Sequence, residues 1–372
     1  MAEEWAARGG GIWAAADLLS PMAVRVAATL RLADHIAAGT RTAQALAETV
    51  HADRDVLGRL LDHLVSAGVL SSTGDGSYDL TEMGGYLRDE EPEGMRAVLD
   101  IEGAIGRAEL GLIHLLHTVR TGEPAFPQQY GRTFWEDLSV DDERAESFDA
   151  LMGARLATVA PAVAAAYPWG NLRHLIDVGG GDGSMLISIL QAHGGLRGTV
   201  LDLPGPVSRA GKAITAAGLD DRADAVAGSF FEELPAGADG YLLSSILHNW
   251  DDASAARILR RCADAVPATG SVLVVDYFTD QNAMTENDLR MLCYFGGRQH
   301  SVEQLGELAG TVGLGIVSTA PAGRFSVVEL RASDGPRSRL PGTPSAGVGS
   351  AGAGPGGVHP GVDASGGDEP VV

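Results

Sequence analysis

One short segment constrains the fold of this 372-residue chain more than any other. The apolar run 175–178 predicts a buried strand, and it leads directly into the glycine-rich sequence 179–183. A helix is predicted immediately afterwards, over 184–192. Strand, glycine loop and helix in this order are typical of the ligand-binding turn of a doubly wound α/β sheet, because glycine lets the backbone come close to a bound molecule.

The rest of the C-terminal half continues this alternation. Short apolar runs are separated by helix-length segments, which predicts βαβ crossovers and a parallel sheet. The last two runs lie close enough in sequence to form an antiparallel pair at the sheet edge. The predicted fold class is therefore α/β, with a doubly wound, mostly parallel Rossmann-like sheet. The further strands are predicted at 198–203, 223–227, 240–244, 271–276, 315–317 and 325–330.

The first hundred residues have a different, mainly helical pattern. Apolar residues at helical spacing predict a helix over 55–67, and a shorter helix is predicted over 42–50. The runs 69–71 and 77–80 flank Thr73-Gly-Asp-Gly76, a turn sequence that predicts a β-hairpin. Two helices followed by a hairpin are the outline of a winged helix.

The charge balance favours packing or dimerisation as the role of this winged helix. The chain has 49 acidic and 27 basic residues, a formal net charge of -22, and such a surface repels nucleic-acid phosphates. The second helix adds only Arg54 and Arg59 among three aspartates. No nucleic-acid partner is expected, and a transcriptional regulator is the less favoured alternative.

Other compositional features concern the compartment and the C-terminus. The two cysteines, Cys262 and Cys293, form neither a disulfide framework nor a cysteine metal site, which favours the reducing cytoplasm. No basic-then-apolar leader and no long uninterrupted apolar stretch are present, so no membrane association is expected. Residues 332–372 contain no Lys and no aromatic residue, and their Gly/Pro-rich composition predicts a disordered tail.

An acid accompanies the glycine loop in the way that nucleoside cofactors require. The second strand ends with Val200-Leu201-Asp202, about 20 residues after the loop, and a carboxylate at this point accepts hydrogen bonds from ribose hydroxyls. The dinucleotide fingerprint G-x-G-x-x-G is not matched, because Ser184 stands at its last glycine position. A nucleoside-bearing cofactor is predicted, with an NAD-dependent oxidoreductase as the less favoured alternative.

Four motifs, in order along the chain, resemble a known family. They are Asp177-Val-Gly-Gly-Gly-Asp-Gly, Gly228-Ser-Phe-Phe-Glu, Leu247-His-Asn-Trp-Asp-Asp and Asp288-Leu-Arg-Met-Leu-Cys-Tyr-Phe-Gly-Gly-Arg. Over roughly 15–331 the chain resembles the class I S-adenosylmethionine-dependent O-methyltransferases of the bacterial natural-product type, which carry an N-terminal winged-helix dimerisation domain. The resemblance implies S-adenosylmethionine as cofactor, a small aromatic substrate and a homodimer.

The resemblance also implies which residues hold the cofactor. The glycine loop is expected to surround its amino-acid end, and Asp202 its ribose. Ser229 stands where the family usually has Asp, with Phe230 beside the adenine, and Ser244 matches a position that commonly contacts the cofactor. The expected cofactor-binding residues are Asp177, Gly179, Gly180, Gly181, Gly183, Asp202, Leu203, Ser229, Phe230 and Ser244.

His248 occupies the position of the general base in the plant relatives. Methyl transfer is an in-line displacement, so the enzyme must align the attacking oxygen and help to remove its proton. An imidazole suits this role because its unperturbed pKa of ~6.5 lies near working pH. Asp276, where Glu is frequent, is expected to orient His248; Asn249 and Gln299 also depart from the family's acids. Some bacterial relatives lack the histidine, so catalysis by positioning alone is the alternative.

The predicted reaction is methylation of a phenolic hydroxyl of an aromatic natural product, a polyketide such as an anthracycline or anthraquinone. A hydroxylase or other non-methylating enzyme with the same cofactor is the alternative, since one family member has become a hydroxylase. No metal is expected. The predicted domains are 1–100 for dimerisation, 101–170 as a helical linker contributing to the substrate pocket, and 171–331 for catalysis. The pocket candidates are Met152, Trp250, Met291 and Phe295, with Arg298 for a polar substituent.

Overall fold

The computed structural model describes residues 11–91, 95–280 and 285–333, and these residues all belong to one compact unit. The predicted tail, from residue 334 onward, lies outside the described residues. The first residue of the predicted tail 332–372, Ala332, is the last residue of a paired strand, and the N–H of Ser333 donates to the carbonyl of Gly313.

A seven-stranded sheet has the order β5-β4-β3-β6-β7-β9-β8. Neighbours from β5 to β7 are parallel, whereas β9 is antiparallel to both β7 and β8. The predicted α/β class and the antiparallel edge pair are therefore confirmed. The strands are β3 His174–Val178, β4 Arg197–Asp202, β5 Ala223–Ala227, β6 Gly240–Ser244, β7 Ser271–Asp276, β8 Leu314–Ala322 and β9 Phe325–Ala332.

Both faces of the sheet are covered, which explains the continuous apolar runs of its strands. Every residue of β6 and β7 is buried, as expected for strands packed on both sides. One face packs against the helices α12, α13 and α14, and the other against α15 and α17. These helices are α12 Asp142–Ala166, α13 Ser184–Ala192, α14 Pro204–Ala216, α15 Asp252–Ala265 and α17 Val302–Gly310, with α16 at Thr285–Phe295.

The edge strand β8 is longer than its sequence indicated. The run 315–317 was expected, but the strand extends through Ala322 and includes Pro321. Most of its residues are exposed because no strand lies beyond it, so they need not be apolar. Proline is tolerated at such an edge, since its missing N–H faces away from the sheet.

The N-terminal region has a hydrophobic core of its own, formed by its helices and the hairpin β1–β2. Leu57, Leu61 and Leu64 are buried in α5, in agreement with the predicted apolar stripe. Asp53 caps this helix by accepting the N–H of Val56. The predicted helices and hairpin are thus confirmed. The elements are α1 (residues 11–16), α2 Leu19–Thr29, α3 Leu32–Ala37, α4 Ala43–Thr49, α5 Arg54–Ser66, β1 Leu70–Ser72, β2 Tyr78–Leu80, α6 Glu82–Gly85 and α7 Met95–Leu99.

Helices connect this region to the sheet, and α12 is the longest of them at 25 residues. By length and composition alone, α12 meets the criteria for a membrane-spanning helix. It packs against α13, β8 and β9, however, which is the packing of a core helix. The other connecting helices are α8 Ala104–Leu110, α9 Leu115–Thr121, α10 Phe126–Tyr130 and α11 Phe134–Ser139.

A buried carboxylate joins three parts of the chain. Glu109 in α8 accepts hydrogen bonds from Arg25 of α2 at 2.6 Å and from Arg290 of α16 at 2.7 Å. It also accepts the hydroxyl of Tyr294 in α16. Hydrogen bonds to a charged group stabilise more than neutral ones, so this cluster fixes α16 against the N-terminal helices.

The central strand β6 offers a direct test of this packing. Leu242 is fully buried in β6, so Leu242→Ala removes apolar contacts and leaves a cavity. We expect the free energy of unfolding to fall by about 2–5 kcal/mol in urea denaturation. Val226→Ala, at a position 40% exposed on the edge strand β5, is the matched control, with a change of less than about 0.5 kcal/mol expected. Equal effects at the two positions contradict this description of the core.

Candidate active site

The parallel strands bring the predicted site residues to one edge of the sheet. β3, β4, β6 and β7 all run in the same direction, so their carboxyl ends lie side by side. The strand order reverses between β3 and β6, because β4 and β5 lie on the other side of β3. Ligands of doubly wound sheets bind at such a switch point.

The glycine loop has backbone angles at which residues other than glycine would be strained. Gly179, Gly181 and Gly183 have φ angles of 75°, 59° and 81°, in the left-handed region. Two of its glycines, Gly179 and Gly180, also leave no room for a side chain. A Cβ atom on Gly179 would lie 2.6 Å from Cδ1 of Ile246, and one on Gly180 would lie 2.7 Å from the carboxylate of Asp177.

Asp177, within β3, is a buried acid without a partner. It is only 1% exposed, and neither carboxylate oxygen has a hydrogen-bond partner among the described residues. Burial, together with the nearby carboxylates of Asp202 and Asp182, raises its pKa to about 7. An unpaired buried carboxylate is costly. Asp177 therefore fits the recognition of a cationic group, such as the ammonium of an amino-acid cofactor.

Asp202, at the end of β4, is fixed to the glycine loop. Its Oδ2 accepts the N–H of Gly181 at 2.8 Å, and its Oδ1 accepts the N–H of Leu203 at 2.7 Å. Burial raises the pKa of Asp202, while these two hydrogen bonds lower it, and the net direction is upward. The Leu203 side chain is exposed. Two hydrogen bonds hold the carboxylate beside the loop, at the predicted ribose position.

The remaining predicted cofactor residues lie along the same edge. Ser244 ends β6, and its buried hydroxyl has no hydrogen-bond partner within the described ranges. Phe230 lies against the loop, since a Cβ on Gly179 would be 3.2 Å from its ring. The hydroxyl of Ser229 accepts the N–H of Phe231 at 3.2 Å. Ser229 thus caps a turn in the free protein, and its contact with adenine stays a prediction.

His248 and Asp276 form a close pair. His248 Nδ1 lies 2.8 Å from Oδ1 and 2.9 Å from Oδ2 of Asp276, which itself accepts the N–H of Tyr277. This contact leaves Nε2 of the imidazole for proton transfer. Burial lowers the pKa of His248, but the Asp276 carboxylate raises it more, so the net pKa is raised. The predicted pairing of the two side chains is present in the structure.

The turn that carries His248 explains one departure from the family pattern. Ser245, just after β6, has a φ angle of 56°, which is unusual for a residue with a side chain. Nδ2 of Asn249 donates to the carbonyl of Ser245 at 3.2 Å. A carboxylate at position 249 could not donate this bond. The other departure, Gln299, is 3% exposed, and its Nε2 has no partner in the part of the chain described here.

Aromatic side chains form a cluster next to this turn. Trp135 stacks on Trp250, with ring centroids 5.8 Å apart and planes at 16°. It also stacks on Phe295, at 5.3 Å and 21°. Phe230 contacts Trp250 edge to face, which connects the cluster to the cofactor edge. Met291 is buried with Phe295 in the same core.

Trp135 was missing from the predicted pocket. It lies in an aromatic-rich stretch of the helical linker, and that stretch was the only available signal in the sequence. Its contact with Trp250, more than a hundred residues away, depends on the tertiary fold. We name Trp135, Trp250 and Phe295 the aromatic cluster.

The two other predicted pocket residues differ in their surroundings. Met152 is half-buried on α12, next to Gly153, where a Cβ atom would overlap the carboxylate of Asp182 in the glycine loop. Met152 therefore lies close to the cofactor edge. Arg298 is exposed and forms an ion pair with Asp252 at 3.2 Å. Its role in substrate binding stays a prediction.

Comparison with protein families agrees with this geometry. The chain matches the model of the O-methyltransferase domain over residues 112–314 and that of the O-methyltransferase dimerisation domain over residues 14–89. The chain belongs to the O-methyltransferase family. The resemblance stated from the four motifs is thereby confirmed.

Individual relatives agree with the family match. The methyltransferase is 51% identical to 2,7-dihydroxy-5-methyl-1-naphthoate 7-O-methyltransferase of Streptomyces carzinostaticus, over 87% of this chain and 97% of the relative. It is 43% identical to aclacinomycin 10-hydroxylase RdmB of Streptomyces purpurascens, over 85% of this chain and 88% of the relative. A crystal structure of NcsB1 from neocarzinostatin biosynthesis, with S-adenosylmethionine and 2-hydroxy-5-methyl naphthoic acid, has a TM-score of 0.84 and 51% identity, covering 87% of this chain and 98% of that chain.

These similarities establish the enzyme class. The protein is an S-adenosylmethionine-dependent O-methyltransferase of aromatic natural products. The predicted cofactor is confirmed. That its ammonium group lies against Asp177 stays a prediction. Among the described residues, no group of three His, Cys, Asp or Glu side chains forms a metal site.

Asp177→Asn tests the role of the unpaired acid. We expect the affinity for S-adenosylhomocysteine, measured by calorimetry, to fall about tenfold, because a charge-assisted hydrogen bond is weakened. Because the pKa of Asp177 in the folded protein, about 7, exceeds the usual aspartate value of 3.8, the wild type loses stability as pH rises between these values. The ligand-free variant avoids this loss.

Urea denaturation at pH 5 and pH 8 measures that difference. The variant should gain in stability relative to the wild type as pH rises. Ser229→Ala, which leaves both acids in place, is the control and should not show the pH-dependent gap. If the difference in the free energy of unfolding between Asp177→Asn and the wild type is the same at both pH values, the result contradicts a buried, unpaired carboxylate.

Proposed function

We propose that this methyltransferase transfers the methyl group to a phenolic hydroxyl of a fused-ring aromatic polyketide, with His248 as general base. Anthraquinones, anthracyclines and hydroxynaphthoates are the substrate types considered. The observation that carries this proposal is the contact of His248 with both carboxylate oxygens of Asp276, next to the aromatic cluster and the cofactor edge. Names of relatives that act on aromatic compounds support it.

The chemistry follows from the proton on the phenol. S-Adenosylmethionine supplies, when bound, an electrophilic methyl group on a sulfonium. A phenol with a pKa near ~10 is mostly protonated at neutral pH, so a base that takes its proton is expected to contribute about 10²–10⁴-fold. Nε2 of His248 takes the proton, and Asp276 orients the ring and stabilises the imidazolium that forms.

The aromatic cluster provides the apolar part of the pocket. Flat rings stack favourably on indole and phenyl faces, and small-molecule sites are lined mainly by such side chains. Trp135, Trp250 and Phe295 present these faces, and Met152 and Met291 add adaptable apolar surface. Asp177, Asp202 and Ser244 hold the cofactor at the adjacent strand ends.

The domain arrangement is part of the same proposal. Residues 1–100 serve dimerisation, 101–170 contribute to the substrate pocket, and 171–331 carry the cofactor site. The dimerisation-family match over residues 14–89 supports a homodimer. Large apolar side chains on the outside of this region offer an interface. They include Trp13, Leu18, Leu19, Met83 and Tyr86. A cytoplasmic location stays a prediction.

One relative favours a second function. The 43% identical RdmB is named a hydroxylase, so this fold also supports chemistry other than methylation. The His248–Asp276 pair favours methyl transfer here, because a general base serves the deprotonation of a phenol. An oxygenated, unmethylated product is the signature of the second function.

Removal of the base gives a direct test. We expect His248→Ala to lower kcat by about 10²–10⁴-fold with a hydroxynaphthoate or hydroxyanthraquinone, while the affinity for S-adenosylhomocysteine changes less than about twofold. Product formation is measured through the amount of S-adenosylhomocysteine released. Asn249→Ala, on the same turn, is the control for local disruption. An unchanged kcat in His248→Ala indicates catalysis by positioning alone.

The pH profile tests the pair independently. The raised pKa of His248 predicts that kcat/KM increases with pH through a value above ~6.5, because the neutral imidazole is the active form. Asp276→Asn removes the carboxylate and should shift this acidic limb to lower pH. If kcat/KM rises at the same pH in Asp276→Asn as in the wild type, the result contradicts the proposed role of Asp276.

The mass of the protein in solution, and the effect on it of a charge at an exposed apolar residue of the N-terminal region, test the proposed dimer. Light scattering of the wild type should give twice the 38.5 kDa chain mass. Leu19 is 64% exposed, so Leu19→Asp adds a charge to the proposed interface with little effect on the core. A wild-type mass of one chain contradicts the dimer, whereas a dimer that Leu19→Asp leaves unchanged at every concentration contradicts the proposed interface.

A further inference from the structure

Arg155 lies on the inward side of α12. Leu151 and Val159, one turn before and one turn after it, are both buried, and residues four apart share one face of a helix. Met152, three residues before it, is a predicted pocket residue. Arg155 nevertheless remains exposed to solvent. Thr158, three residues after it, is exposed as well, so Arg155 lies at the border of the packed face, where both protein and water surround its side chain.

The electrostatic neighbours of Arg155 place its guanidinium near the proposed base. Burial lowers the pKa of its guanidinium, so much of it is surrounded by protein although water reaches it. The next largest electrostatic influences on it are those of Tyr277 and Arg324. Tyr277 directly follows Asp276, the partner of His248. Arg155 is therefore close to the end of β7 where proton transfer is proposed.

A second arginine lies at the same edge of the sheet. Arg324 is in the turn between β8 and β9, two residues before Ser326, which pairs with Asp276 in the register of β7 and β9. Its guanidinium carbon lies 5.5 Å from the ring centroid of Tyr277. The Tyr277 ring packs against Phe325 at 4.0 Å. Two cations thus share one phenol as a neighbour.

Neither guanidinium has an acidic partner. Within the described ranges, no ion pair involves Arg155 or Arg324. This is notable in a chain with 49 acidic and 27 basic residues, where Arg25 and Arg290 of the nearby helices are paired with Glu109. Two neighbouring cations without a carboxylate repel each other and are stabilised by a bound anion.

We propose that Arg155, with Arg324 and Tyr277 beside it, forms a subsite for a carboxylate on the aromatic substrate. The substrate class is then a phenol whose fused-ring system also carries a carboxylate. A guanidinium binds a carboxylate through two parallel N–H···O bonds, which fixes direction as well as position. The subsite therefore determines which hydroxyl faces His248. This inference rests on the proposed function and deepens it.

Arg155 replaces Arg298 as the residue best placed for this role. Arg298 is paired with Asp252 at the protein surface, so an anion would have to compete with an existing carboxylate. Arg155 has no such competitor among the described residues. Burial also strengthens the interaction, because charges attract more strongly where water is partly excluded.

The test compares two substrates that differ only in the carboxylate, a dihydroxynaphthoate and the corresponding dihydroxynaphthalene. We expect Arg155→Met to lower kcat/KM for the acid by about 10- to 100-fold, and to lower it much less for the neutral compound. Arg155→Lys should recover part of the loss, because it keeps the charge but not the two-bond geometry. Arg197→Met, at the opposite end of β4, is the control and should change neither value.

Two kinetic outcomes overturn the proposal. Equal losses for the acid and the neutral compound show that Arg155 only supports the structure. A wild type without preference for the acid shows that no carboxylate is recognised. The cofactor also carries a carboxylate, so the affinity for S-adenosylhomocysteine is measured in each variant. A drop there, with the substrate preference retained, assigns Arg155 to the cofactor instead.

Equilibrium binding separates this proposal from the proposed function. The acid and the neutral compound are titrated by calorimetry into the complex of enzyme and S-adenosylhomocysteine, where no turnover occurs. An Arg155-dependent preference for the acid supports the subsite even if neither compound is methylated, a result that would overturn the proposed function alone. Absence of such a preference overturns the subsite even if both compounds are methylated.

Discussion

The direction of five neighbouring strands determines where this enzyme works. Because β5, β4, β3, β6 and β7 are parallel, their carboxyl ends form a single edge, and the order reversal between β3 and β6 opens it to a ligand. Asp202, Ser244 and Asp276 each end a strand at this edge. Residues from distant parts of the sequence meet there without any long loop. The dense apolar packing on both faces of the sheet keeps the strand ends in register.

Three ionisable groups near this edge, Asp177, His248 and Arg155, are the ones proposed to meet the ligands. Asp177 is buried with no hydrogen bond among the described residues, which suits a cationic cofactor. His248 has its Nδ1 side occupied by Asp276, which leaves Nε2 for a phenol. Arg155 has no described carboxylate, which suits an acidic substituent. The protein holds an acid, a base and a cation in separate surroundings, and their pKa values are shifted by burial and by neighbouring charges.

Much of this arrangement was predictable from the sequence, for identifiable reasons. The buried strands and the amphipathic helices have clear periodicity, and the spacing of the glycines after 175–178 indicated the cofactor loop. The extent of β8 was not predictable, because an exposed edge strand needs no apolar pattern. Trp135 and Arg155, to which we assign substrate contacts only as a proposal, were not among the predicted site residues for another reason. Both lie in the helical region before the sheet, and only tertiary packing brings them to the site.

The proposed reaction transfers the cofactor's methyl group to a phenolic oxygen of the substrate. Mass spectrometry of the product, after incubation of the enzyme with methyl-labelled S-adenosylmethionine and a hydroxynaphthoate, measures this directly. We expect a product heavier by one labelled methyl group, attached to oxygen, together with one equivalent of S-adenosylhomocysteine. An oxygenated product without the label, with the cofactor unchanged, would contradict it.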